Sequence, residues 1–75
     1  MTADQYRAIS ALEYRALLAA LDLSQVGAAR LLGVDARTSR RWANGEREIP
    51  PPAERFLRFL MASGITPAKV LKALE

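Results

Sequence analysis

The sequence predicts an all-α fold, a compact bundle of four to five helices built around a central helix-turn-helix. Three features of the chain predict it. Apolar residues recur at three- and four-residue spacing, capping residues precede these segments, and glycines close them. No segment alternates polar and apolar residues as a half-buried strand would.

At 75 residues the chain has room for a single domain, read here as 1–75. An apolar share of 51% favours a packed core over a disordered segment. The first helix starts at Ser10, which forms with Glu13 the S-x-x-E spacing of a capping box. Tyr14, Leu17, Leu18 and Leu21 give that helix one apolar face, and Asp22-Leu23 breaks the pattern. Ser24 is the next N-cap, and Gln25 to Leu32 reads as a short helix with Ala28, Ala29 and Leu32 inward. Gly33 ends it, because glycine takes the left-handed conformation without steric cost. Val34 is expected to plug the turn, and Asp35 caps a third helix over Ala36 to Ala43. Asn44-Gly45 stops that helix. The segment Glu46 to Pro52 reads as a loop stiffened by Pro50, Pro51 and Pro52, the last of them opening a fourth helix, 52–63. Phe56, Leu57, Leu60 and Met61 form its apolar stripe. Phe56, Phe59 and Leu60 read as core or subunit contact, and Gly64 is the stop. Thr66 caps and Pro67 starts a fifth helix, 67–74, whose Val70, Leu71 and Leu74 are expected in the core or, alternatively, in a dimer contact.

Composition excludes several chemistries. With no cysteine and no histidine, the chain lacks disulfides, thiolate metal sites, and the commonest general base and metal ligand. Glu46 and Glu48 read as solvated loop acids, and no glycine-rich phosphate loop is present. No enzyme, metal or cofactor is therefore expected. Met1 to Ser10 contains Asp4 and Arg7 and no apolar run, so no signal peptide is expected there. No stretch approaches the roughly 20 apolar residues of a membrane span.

The net charge is +3. Between Ala36 and Arg47, Arg37, Arg40, Arg41 and Arg47 stand against Glu46 alone, so one segment carries an excess equal to that of the whole chain. A basic stripe on one element is the footprint of a surface that faces phosphates. Arg40-Arg41 alone would read as an ordinary solvated pair; the turn, the caps and Arg37 around it make it part of that stripe.

The segment from Ser24 to Gly45, SQVGAARLLGVDARTSRRWANG, resembles the phage-repressor, or XRE/Cro-like, helix-turn-helix family. The likeness spans roughly Glu13 to Met61. It rests on Ser24-Gln25, Ala29, Leu32-Gly33-Val34, Arg37-Thr38, Arg41-Trp42 and Asn44-Gly45 falling together in register. The resemblance implies a lambda-repressor-like bundle and a DNA-binding transcriptional regulator, a repressor acting as a homodimer on a palindromic operator. It implies base reading from Ala36, Arg37 and Arg41, at the start of the second helix of the motif and one turn on. It implies phosphate contacts from Gln25, Thr38, Arg40 and Asn44; Arg47 joins these as the last cation of the basic stripe. Trp42 matches a core position. Two departures stand out. Ser39 replaces the usual Val or Ile, which weakens packing unless its hydroxyl bonds back to the carbonyl four residues earlier. Gly27 lies inside a helix, at a cost of about 1 kcal/mol relative to alanine. The alternative function is an antitoxin or other protein-binding module, with the helices from Pro52 onward holding a toxin or another regulator. Either way a cytoplasmic, nucleoid-associated protein is expected.

Overall fold

In a computed structural model describing residues 9–75, five helices follow one another: α1 (Ala11–Ala20), α2 (Gln25–Leu32), α3 (Ala36–Ala43), α4 (Pro51–Ser63) and α5 (Pro67–Leu74). The reading of the first residues as free of a signal peptide falls on residues 1–8, outside this range. Among the described residues there is no strand, and no helix is long and apolar enough to cross a membrane.

Local chemistry sets most of the helix ends. Ser10 Oγ accepts from the Glu13 N–H at 3.1 Å, and Glu13 Oε1 accepts from the Ser10 N–H at 3.1 Å, so both halves of the capping box form. Ile9 and Tyr14 take the N′ and N4 positions of a hydrophobic staple, and both belong to the core. At the other end of α1, Asp22 sits at φ 57°, and the Leu23 N–H reaches back to the Leu18 carbonyl at 2.8 Å. This is the Schellman closure with aspartate in the left-handed position usually held by glycine. Gly33 closes α2 at φ 73°, and the Val34 N–H donates to the Ala29 carbonyl at 3.0 Å. Ser24, Asp35 and Thr66 cap α2, α3 and α5 as their positions predict.

Helix α4 begins at Pro51, one residue before the expected Pro52. The first helical residues have no intrahelical acceptor for their N–H groups, so prolines fit both N1 and N2. The preceding loop is pinned by Ile49, which is buried and escaped the sequence reading.

The core gathers Ile9, Tyr14, Leu18, Ala28, Leu31, Trp42, Ala43, Ile49, Leu57 and Leu60, with Val34 partly buried against it. Helix α2 packs against α3 and α5, and α1 against α3 and α4. Being packed on more than one side, α2 buries Leu31 as well as Ala28 and Ala29, and the expected Leu32 is only half-buried at the edge. On α4, Leu57 and Leu60 are buried and Phe56 half-buried. Met61 stays 45% exposed at the rim beside the end of α1, and Phe59 points out. Of the apolar stripe of α5, Val70 and Leu71 pack on the core, whereas Leu74 is 68% exposed. Glu54 is buried on the α4 stripe and pairs with Arg58, which also lies 3.9 Å from Glu13 and so ties α4 to the start of α1.

Ser39 corrects an expectation. Its hydroxyl does not return to its own helix; it meets the Tyr14 hydroxyl of α1 at 2.9 Å, and both residues are fully buried. Gly27 is explained too. A Cβ there would come 3.1 Å from Ser24 Oγ, the atom that accepts the Gly27 N–H, so the bare glycine leaves room for the cap.

Removing one member of the buried hydroxyl pair strands the other. Ser39→Ala is expected to lower unfolding free energy by about 1–3 kcal/mol, whereas Tyr14→Phe combined with Ser39→Ala should cost less than Ser39→Ala alone. Urea denaturation of these two variants beside the unsubstituted protein checks both predictions.

Candidate nucleic-acid interface

Helix α3 has two chemically opposed sides. Ser39, Trp42 and Ala43 recur at three- and four-residue spacing and are buried against α1 and α2. Trp42 meets the Tyr14 ring edge to face, with centroids 5.9 Å apart and planes at 85°. The opposite side carries Arg37 and Arg41 one turn apart, with Asn44 a further turn along. Arg37 and Asn44 are exposed; Arg41 is half-buried. Arg40 is exposed on one flank, and Thr38 is half-buried on the other. Ala36 is the first helical residue and is half-buried.

Two backbone features bring Arg47 to this end of α3. Gly45 takes φ 76°, which turns the chain, and the Glu46 and Arg47 N–H groups both donate to the Arg41 carbonyl, at 2.9 and 3.3 Å. Arg47 itself is exposed. Gln25 is the first residue of α2 and is half-buried; it shares a shallow depression with Ser24 and Arg15.

Arg15 belongs to no motif and escaped the sequence reading. From α1 its Nη1 donates to the Ala43 carbonyl at 2.9 Å. That carbonyl lies in the last turn of α3, where no intrahelical partner remains, and a cation there also opposes the negative end of the helix dipole. Arg15 thereby bridges the Gln25 depression and the C-terminal end of α3.

Among the described residues, no hydrogen bond or ion pair takes up the guanidinium of Arg37, Arg40, Arg41 or Arg47; both ion pairs belong to Arg58. The donors of these four arginines are left to solvent. Asp35 balances them at the start of α3. Its Oδ1 accepts from the Thr38 N–H at 2.7 Å, and this bond, helped by Arg37 and Arg41 nearby, holds its carboxyl below the ordinary aspartate range. Burial acts oppositely on Tyr14, pushing its hydroxyl above the ordinary tyrosine range despite the Ser39 bond, so it stays protonated. Among the described residues, no group of three acidic side chains converges as a metal site would require.

No protein-family model, curated protein or solved structure matches the chain.

Because folding lowers the Asp35 pKa beneath its ordinary 3.8, the cap stabilises α3 at neutral pH and is lost as pH falls through the lowered value. The Ser10 bonds lower Glu13 from 4.5 in the same sense. Stability measured by urea unfolding should therefore decline as pH falls through and below the ordinary carboxylate range. Asp35→Asn keeps a capping oxygen without a titrating proton, and its decline with acid should be shallower than that of the unsubstituted protein.

Proposed function

We propose that the protein is a sequence-specific DNA-binding regulator, a repressor of the phage-repressor, Cro-like kind that binds a palindromic operator as a homodimer. The observation that carries this reading is the outward face of α3. Arg37 and Arg41 stand one turn apart on it with free guanidinium donors, while Ser39, Trp42 and Ala43 anchor the reverse face in the core. Eight helical residues span about 12 Å, a length comparable with the width of the B-DNA major groove. In this reading, Arg37 and Arg41 donate to guanine O6 and N7, each bidentate pair supplying about 1–3 kcal/mol of discrimination against a wrong base. Ala36, small and at the start of the helix, lets the backbone approach the base edges. Arg40, Thr38, Asn44 and Arg47 hold phosphates on either side of the groove, and Gln25 does so from the first turn of α2. Two copies would read half-sites about one helical turn apart.

A second reading is favoured by the C-terminal helices. Met61, Ile65 and Leu74 remain exposed there, around depressions that Ile65 joins. Such a surface suits an antitoxin or other module holding a protein partner, and it is compatible with DNA binding by α3. Gel filtration beside a DNA shift assay separates the two: a monomer without salt-dependent DNA affinity favours the protein-binding module alone.

Selection from a random DNA pool should return a palindromic site. Against that site, Arg37→Ala should relax sequence preference, with about 1–3 kcal/mol lost on the selected DNA and little on random DNA. Arg40→Ala should weaken both alike and reduce the slope of log K against log salt by about one. Equal losses from Arg37→Ala on selected and random DNA would remove Arg37 from base reading.

A further inference from the structure

The face of α3 that reads bases is only as exact as the joint that holds its back. That joint has an unusual make-up for a helix seat. An aliphatic side chain at position 39 would seat α3 against α1 by shape and burial alone. Here a hydroxyl–hydroxyl bond of 2.9 Å does the holding, between two fully buried residues, and hydrogen bonds are directional. A second polar anchor comes from the next residue of α1, where Arg15 grips the Ala43 carbonyl at 2.9 Å. Ser39 lies at the middle of α3 and Ala43 at its end, one turn further on. Added to the buried packing of Trp42 and Ala43, two polar contacts separated along the axis and made by adjacent residues of one helix constrain tilt and rotation together. Tyr14 also packs edge to face on Trp42 of α3.

We propose that Tyr14 and Arg15 are positioning residues that fix the rotation of α3 about its axis and so determine which base edges Arg37 and Arg41 can reach. This rests on the DNA-reading function proposed above. Recognition groups need holding within about 0.5 Å and 10–20° to keep bidentate geometry. A small roll of α3 swings Arg37 and Arg41, which lie opposite Ser39, out of that tolerance. Phosphate attraction, which depends on charge more than angle, would survive the same roll.

The test compares the unsubstituted protein, the double variant Tyr14→Phe/Ser39→Ala, and Arg15→Lys. The double variant removes the directional bond without stranding a hydroxyl. The lysine keeps the charge of Arg15 but gives up its reach and planar fork. For each, affinity is measured on the selected site and on random DNA at one salt concentration, with circular dichroism and thermal unfolding to confirm the fold. In each variant the ratio of the two affinities is expected to fall about tenfold, with affinity for random DNA held within about twofold and the salt slope unchanged. An unchanged ratio in the folded variants overturns the proposal. So does a parallel loss on both DNAs, which would mark a structural or phosphate-binding role. If the double variant fails to fold, Arg15→Lys decides by the same criteria. Should the unsubstituted protein select no sequence at all, the DNA-reading function falls first, and this inference falls with it.

Discussion

A tyrosine hydroxyl taken out of water must find a partner inside the protein, and meeting that demand organises this molecule. Tyr14 is fully buried where α1 crosses α3, and the Ser39 hydroxyl is the partner it finds. The same ring supports Trp42, and the adjacent Arg15 closes the end of α3. Among the described residues, no buried side-chain nitrogen or oxygen is left without a hydrogen bond. In so small a core, one stranded polar group would consume a sizeable part of the total stability. The polar joint is therefore tolerable only because every member is satisfied.

Charge is distributed by the same economy. The arginines of α3 occupy the side that packing leaves free. Arg40 and Arg41 also fall in its last turn, where positive charge suits the helix dipole, and Asp35 falls at its first, where negative charge does. The residues that make α3 attractive to an anionic partner thus favour the helix itself. Between α1 and α4, Glu13, Glu54 and Arg58 set opposite charges against one another.

What the sequence made legible was chiefly local. The capping box at Ser10 and Glu13, the side-chain caps at Ser24, Asp35 and Thr66, and the stops at Gly33 and Gly64 act within a few residues, and they place the helix ends to within one residue. The opposed faces of α3 were legible for the same reason, since i, i+3, i+4 spacing is a local property. What depended on residues far apart was not. The partner of Ser39 lies 25 positions earlier in the chain. The grip of Arg15 on Ala43 spans 28 positions. Whether Leu31 or Leu32 faces inward depends on which helices flank α2. The burial of Ile49 and Glu54 likewise follows from the way the proline-rich loop and α4 fold back onto α1, which no local pattern announces.

Trp42 is the sole tryptophan of the chain, and it sits at the crossing of α1 and α3 with its ring against the edge of Tyr14. The protein therefore carries its own optical gauge at the one place where helix orientation is set. Indole emission reports a single environment, free of background from other tryptophans. A shift in its wavelength on mixing with a binding partner would reveal whether α3 is rotated or merely covered when the partner arrives.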